Sequence, residues 1–253
     1  MRVLVTRPQR EALRWCAALR DRGLAAEALP LIEIAPADPA PLAAAWARLA
    51  DCRAAMFVSA NAVQGFCAAR PQGQAWPAQT AAWATGPGTV RALREAGVPA
   101  HALVAPAADA PQFDSEALWQ LVGQDPGLVG ARVLIVRGTD ADGRLAGRPW
   151  LADRLGAAGA QVQALAAYTR RPPSWDAATR AHAAAATDAL WLFSSSDAVR
   201  HLQQLLPDAD WHATRALATH GRIAEAARAA GFGRVDTVRP ALEDVVASIE
   251  SAR

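Results

Sequence analysis

The sequence predicts an α/β protein of two similar parallel-sheet domains with a cleft between them. Three observations predict it. Short apolar runs alternate with Ala-rich amphipathic stretches along the chain, the pattern of strands covered on both faces by helices. Three motifs recur in order at nearly constant spacing, the mark of a duplicated unit. The length of 253 residues, with 52% hydrophobic and 20% charged residues, gives room for one to two ordinary globular domains.

The elements follow in order. A strand over Arg2–Thr6 leads to a helix over Gln9–Arg22, and the apolar run Ala26–Ile34 reads as one strand. Helix Pro41–Ala50, strand Ala54–Val58, helix Ala60–Ala69, strand Thr80–Ala84, helix Thr89–Ala96 and strand Ala100–Val104 come next. Helix Ser115–Val122, strand Arg132–Val136, helix Arg148–Ala158 and strand Gln161–Tyr168 complete the middle of the chain. The remainder reads as helix Asp176–Ala186, strand Ala189–Phe193, helix Asp197–Leu206, strand Ala213–Ala218, helix Ile223–Ala230, strand Arg234–Val238 and helix Leu242–Ser251. Glycine follows a helix at Gly23, Gly97, Gly159 and Gly231, as expected where a left-handed residue stops the helix.

Composition excludes several chemistries. The 26 basic residues are all arginine, which removes lysine Schiff bases and the P-loop lysine. A net charge of +2, scattered along the chain, is too weak for a nucleic-acid partner. Cys16, Cys52 and Cys67 are odd in number and lack CxxC spacing, and the five histidines show no metal-ligand spacing, so no metal is expected. His201 and His212, near Asp208 and Asp210, read as a surface helix end. No apolar run reaches the roughly 18 residues of a membrane span. The opening MRVLVTRPQREALRW lacks a long apolar core and a small-residue cleavage site, so a cytoplasmic protein is expected.

The repeat organises the chain. Phe57–Val63 aligns with Phe193–Val199, Thr85–Ala92 with Thr219–Ala226, and Arg2–Arg7 with Arg132–Arg137, at offsets of 136, 134 and 130 residues. In open parallel sheets ligands sit beyond the carboxyl ends of the strands. The repeated motifs belong there: Arg7 and Arg137 after the first strand of each unit, and Ser59-Ala60-Asn61, Gly86–Thr89, Ser194-Ser195-Ser196 and His220-Gly221 at strand-to-helix turns. Serine, threonine and asparagine at such turns serve as N-caps or bind anions. Four or more on one edge of two facing units favour an anion-binding cleft.

Taken together, these residues resemble the uroporphyrinogen-III synthase family. The resemblance rests on Val5-Thr6-Arg7-Pro8, Phe57–Val63, Gly86-Pro87-Gly88-Thr89, Asp114–Leu118, Tyr168 and Phe193–Ser196, in order over nearly the whole chain. It implies a discontinuous first domain, 1–35 with 168–253, and a second domain, 36–167. The crossings would lie near Leu31–Ala37 and Leu165–Arg171, each followed by prolines that favour an extended exit. It implies closure of hydroxymethylbilane to uroporphyrinogen III with loss of water and inversion of the last ring, without cofactor or metal, in a monomer. By the same resemblance the substrate, a linear tetrapyrrole polycarboxylate, would be bound by Arg7, Pro8, Ser59, Ala60, Asn61, Gly86, Thr89, Arg137, Gly138, Ser194, Ser195, Ser196, His220 and Gly221. Tyr168 would be the catalytic residue.

Two positions depart from the family pattern: Ile223 stands where a threonine matching Thr89 is expected, and His220 where a glycine is. Tyr168, the single tyrosine, is either an amphipathic residue closing a strand or the donor to the departing hydroxyl. The nine tryptophans read as core and surface caps, with Trp150 and Trp175 the two to check for cleft exposure. The alternative function is a non-catalytic two-domain anion- or tetrapyrrole-binding protein. A nucleotide-binding enzyme is disfavoured because no GxGxxG or GxxxxGK[ST] follows a strand.

Overall fold

The computed structural model describes residues 2–107, 109, 110, 112–145 and 148–251. In chain order the first elements are β1 (Val3–Val5), α1 (Gln9–Arg20), β2 (Ala26–Ala28), β3 (Glu33–Pro36), α2 (Pro39–Ala47), β4 (Cys52–Phe57), α3 (Ala60–Ala68), β5 (Ala81–Ala84), α4 (Pro87–Glu95), β6 (Leu103–Val104) and α5 (Ser115–Val122). They are followed by β7 (Arg132–Thr139), α6 (Trp150–Ala157), β8 (Gln161–Arg171), α7 (Ala177–Ala185), β9 (Leu190–Phe193), α8 (Ser196–Leu205), β10 (Arg215–Ala218), α9 (Gly221–Ala229), β11 (Arg234–Thr237) and α10 (Leu242–Ser251). Two compact units result, Met1–Glu33 with Arg171–Arg253, and Ile34–Arg170. The chain passes from one to the other at β3 and within β8, and Tyr168 lies in the middle unit.

The discontinuous unit has a five-stranded sheet in the order β11-β10-β9-β1-β2, all neighbours parallel. Each central strand is buried on both faces, so successive residues serve two cores. Leu190 and Leu192 of β9 join Val3 and Val5 of β1 under α1 and α10. Trp191 and Phe193, which alternate with them in sequence, join an aromatic cluster with Trp211 and Phe232. The middle unit has a six-stranded sheet in the order β3-β8-β7-β4-β5-β6, with β8-β7-β4-β5-β6 parallel. Its two faces divide in the same way. Phe57, Leu134 and Val136 pack with Trp46, Phe66 and Trp76 on one side, and Met56, Val133 and Ile135 with Leu118, Leu151 and Leu155 on the other.

The repeat has a topological meaning. It pairs β1 with β7, β4 with β9, and β5 with β10, and each pair has one strand in each unit. Each half of the chain therefore gives a β-α-β piece to one unit and a β-α-β-α-β piece to the other. The glycines predicted to stop helices all have positive φ: Gly23 at 73°, Gly97 at 80°, Gly159 at 89° and Gly231 at 96°.

Four expectations need correction. Ala26–Ile34 is two strands: β2 ends at Ala28, Leu29 and Leu31 still donate to the Val5 and Thr6 carbonyls, and β3 then joins the other sheet. Ala100–Val104 is a 3-10 turn over Ala100–Ala102 and a two-residue strand. Arg137 does not follow its strand, since β7 continues to Thr139, and β7 is not the first strand of its unit. His201 is not at a surface helix end. It is buried in α8, with Nδ1 2.7 Å from the Leu31 carbonyl.

That buried bond generates the first prediction. His201→Ala removes a packed ring and strips the Leu31 carbonyl of its partner, which should cost about 2–4 kcal/mol. Urea unfolding should show a lower midpoint with an unchanged slope. A midpoint equal to that of the parent protein would mean the bond contributes nothing net.

Candidate functional site

In the discontinuous unit the strands in chain order stand 2-1-3-4-5 across the sheet, so the order reverses between β1 and β9. The corresponding place in the middle unit is between β7 and β4. Ligands of open α/β sheets bind beyond the carboxyl ends at this reversal, where neighbouring loops diverge. Thr6 Oγ1 donates to the Leu192 carbonyl at 2.8 Å and closes the strand ends in one unit. The Val58 N–H donates to the Val136 carbonyl at 3.2 Å and does so in the other.

Arg7 leaves β1 at the first of these points. Its guanidinium lies 4.2 Å over the Trp15 ring and 3.3 Å from Glu11. Both partners stand on one face of α1, which begins two residues later, so the helix clamps the arginine that precedes it. Its Nε is buried and bonds to no group among the described residues. Burial lowers the Arg7 pKa and the Glu11 charge raises it, but a guanidinium remains charged throughout. Ser194, just past the end of β9, has a buried Oγ that is likewise without a partner. Ser195 caps α8, its Oγ accepting from the Asp197 N–H at 3.2 Å, and Ser196 is the first residue of that helix. Pro8 occupies the N-cap position of α1 and offers no side-chain bond.

The middle unit gathers more. Ser59 caps α3, its Oγ accepting from the Ala62 N–H at 3.2 Å, and Ala60 and Asn61 form the first turn. The same Oγ lies 3.2 Å from the Tyr168 hydroxyl, and either atom can donate. Gly138 of β7 lies under the Tyr168 ring, and a Cβ there would come within 2.5 Å of two ring carbons. Arg137, beside Gly138, is buried. Its Nη2 donates to the Arg148 carbonyl at 3.3 Å, and its Nε is without a partner among the described residues. Burial lowers its pKa, with the nearby Tyr168 acting in the opposite sense. The repeat-related arginines thus share one condition: a charged guanidinium whose buried Nε has no partner among the described residues. Leaving a buried donor unpaired costs about 1–3 kcal/mol, and more when it is charged, so both favour an incoming anion.

One strand further along each sheet stand the remaining candidates. Gly86 is the N-cap of α4, which has no side-chain cap. Thr89 is buried in its first turn. The departures from the family pattern acquire a physical reason here. His220 is the N-cap of α9, Nδ1 accepting from the Arg222 N–H at 3.1 Å, ahead of an exposed Gly221. Ile223 is buried beside Ala224 and Ala227, as Thr89 is beside Ala92 and Leu93. Of the candidates, the structure brings Ser59, Arg137, Gly138 and Tyr168 together. The others line the same carboxyl-end edge of their own sheet.

Sequence reasoning missed Glu11 and Trp15, whose signal was their spacing of four and eight residues from Arg7. It also missed Gly65, in the interior of α3. A glycine there costs about 1 kcal/mol relative to alanine. It is required because a Cβ would overlap the carbonyl of Ala167 in β8. Trp150 and Trp175 are half-buried, Trp150 with Arg154 over its ring. The three cysteines are free, and burial pushes the Cys67 thiol up to about 11. A groove of about 350 Å³ between α2 and the sheet is lined by Arg48, Cys52, Arg132 and Gln161, at the amino ends of β4, β7 and β8. It lies at the opposite edge of that sheet from the residues above. Among the described residues no three His, Cys, Asp or Glu gather as a metal site, and no helix is long and apolar enough to cross a membrane.

The family model for uroporphyrinogen-III synthase HemD matches residues 14–247. Solved structures share the fold. A mutant uroporphyrinogen III synthase from the extremely thermophilic bacterium Thermus thermophilus is 20% identical, with 100% of this chain and 98% of that one covered and a TM-score of 0.59. Uroporphyrinogen-III synthetase from Helicobacter pylori is 14% identical, with both chains fully covered and a TM-score of 0.60. No curated protein matches the sequence.

The capping role of His220 is testable. His220→Ala should lower stability by about 1 kcal/mol, and His220→Asn, which retains a capping acceptor, should restore it. Thermal unfolding of the two variants decides the point. Equal melting temperatures for Ala and Asn would remove the cap from the account of this departure.

Proposed function

The chain belongs to the uroporphyrinogen-III synthase family, and on that premise we propose how its own residues divide the work of the reaction. The family's enzyme is a cyclising lyase: it closes hydroxymethylbilane to uroporphyrinogen III with loss of water and inversion of the last ring. The substrate bears acetate and propionate arms, and the carboxyl-end edge of each sheet takes such anions. The arginines with open Nε atoms, Arg7 and Arg137, bind carboxylates. The turns Ser59-Ala60-Asn61, Gly86–Thr89, Ser194-Ser195-Ser196 and His220-Gly221 offer backbone N–H groups and hydroxyls at helix N-termini. The protein acts as a monomer, in the cytoplasm.

Tyr168 is the proton donor. The observation that carries this is its hydroxyl, 3.2 Å from Ser59 Oγ and beside the buried charge of Arg137. The Ser59 Oγ accepts from the Ala62 N–H and donates to the phenol oxygen, which leaves the phenol proton for the substrate. That proton passes to the departing hydroxyl, the C–O bond breaks with its electron pair on oxygen, and water leaves. The resulting azafulvene-like carbon is attacked by a substituted carbon of the last ring to give a spiro intermediate. Fragmentation and re-closure invert the ring. The proton released as the ring regains aromaticity restores the phenol. Inversion depends on how the chain of pyrroles is held, which is the larger part of the protein's task.

Incubation with hydroxymethylbilane followed by separation of the porphyrin isomers tests the function directly, with isomer III as the expected product. General acid assistance contributes about 10²–10⁴-fold, and here less, because the pyrrole nitrogen already expels the hydroxyl. Tyr168→Phe should therefore lower kcat by about ten-fold or more while the enzyme-made product remains isomer III. Arg7→Ala and Arg137→Ala should each raise KM by about ten-fold, the worth of one charge-assisted bond. Full turnover in Tyr168→Phe would reduce the phenol to a structural hydrogen bond with Ser59. Normal kinetics with reduced stability in both arginine variants would make those residues structural.

A further inference from the structure

We propose that Gly65, half-buried in the interior of α3, is a positioning residue that holds the Tyr168 phenol in place through a bulge in β8. The inference rests on the role given to Tyr168 above.

The pairing of β7 with β8 runs in step from Arg132 with Gln161 to Arg137 with Ala166, and then shifts, so that Gly138 faces Tyr168. Ala167 is the extra residue. In a regular strand neighbours point to opposite faces, and Ala167 and Tyr168 would be parted by the sheet. Here Leu165, Ala167 and Tyr168 all pack in the same cluster, with Phe57 and Phe66. The bulge has turned the tyrosine onto the face that α3 covers, as bulges beside functional sites do.

What holds the bulge is the helix above it. A Cβ at Gly65 would overlap both the carbonyl oxygen and the carbonyl carbon of Ala167, so the α3 backbone rests directly on the bulged peptide. Ser59 stands six residues earlier, at the N-cap of the same helix, and its Oγ lies 3.2 Å from the phenol. The depth at which α3 seats on Ala167 therefore sets the distance between the two hydroxyls. Gly138 closes the seat from below, because a Cβ there would strike the ring.

The other unit gives an internal control. The 136-residue spacing that relates Ser59 to Ser195 relates Gly65 to His201. Register pairs Val133 with Val162 in one sheet and Val3 with Ala26 in the other, which makes Leu31 the counterpart of Ala167 and Ile32 that of Tyr168. There a histidine side chain reaches the corresponding carbonyl at 2.7 Å, so a side chain stands between helix and strand end. That unit has no phenol to seat. Glycine and the close approach occur together with the tyrosine.

Because Tyr168 is the only tyrosine, protein labelled with tyrosine carrying carbon-13 at the phenol carbon gives one NMR signal from that position. Gly65→Ala should move that signal and lower kcat by about ten-fold or more, with KM within about two-fold of the parent. In a Tyr168→Phe background the same change should lower kcat by less than about two-fold, because the hydroxyl through which it acts is gone. Gly156→Ala, in α6 with open space around it, should leave signal and kcat unchanged. Gly138→Ala tests the seat from the other side and decides the matter if Gly65→Ala does not fold. A folded Gly65→Ala with an unmoved signal and parental kcat overturns the proposal, as does an undiminished effect in the Tyr168→Phe background. Parental turnover in Tyr168→Phe alone, with a signal that Gly65→Ala still moves, overturns the catalytic role of the phenol and leaves the seat standing.

Discussion

The parallel pairing of β7 with β4 carries the middle unit. Both strands are buried on both faces, so their alternating residues join the two hydrophobic layers, and their carboxyl ends turn away from each other into separate elements. That divergence exposes the Ser59 turn and the N-terminus of α3 beside Arg137 and Gly138. A single backbone bond, from Val58 N–H to the Val136 carbonyl, closes the ladder at this point. The serine cap, the buried arginine and the phenol's glycine seat all adjoin it in sequence. The discontinuous unit repeats the constraint with β1 and β9, and places Arg7 and the Ser194–Ser196 turn at the same location.

Burial of arginine at these two points is unfavourable on its own, and the absence of lysine makes it significant. A buried lysine can discharge by losing a proton; a guanidinium cannot at any accessible pH. Desolvation pulls both Arg7 and Arg137 downward in pKa without neutralising them. The fold offsets part of that cost locally. Arg7 has the face of Trp15 and the carboxylate of Glu11, and Arg137 has the Arg148 carbonyl. What remains is an open Nε on each, a donor whose best partner is a carboxylate.

The α/β class, the duplication and the alternation of strand with helix were readable because hydrophobic periodicity and glycine stops are local signals. The Ala26–Ile34 break was hidden by the apolar residues on either side of Pro30, which look the same in or out of a sheet. The place of Arg137 was misjudged because β7 extends through Gly138 and Thr139, beyond the apolar run, held by cross-strand contacts such as Thr139 with Thr169 at 2.9 Å. His201 looked like a surface residue because Asp208 and Asp210 follow it in sequence. Its actual partner is a carbonyl 170 residues away. Of the candidate site, the turns were legible from the repeat, whereas the gathering of Ser59, Gly138 and Tyr168 depends on a register shift that no local pattern encodes.

That register shift is also where the two copies have parted. Their core strands keep the same alternation and their turns keep serine caps, so both copies retain the means to meet anions. The difference is concentrated at one contact, between the helix that follows the switch point and the end of the second strand. One copy has histidine over leucine and isoleucine; the other has glycine over alanine and tyrosine. A glycine inside a helix weakens that helix, and a bulge interrupts a ladder, so neither would persist for stability alone. Both are explained if the helix must come close enough to bring its capping hydroxyl to the phenol. The duplicated architecture supplies two similar carboxyl-end edges, and one of them has given up local stability where its helix, its serine cap and the phenol meet.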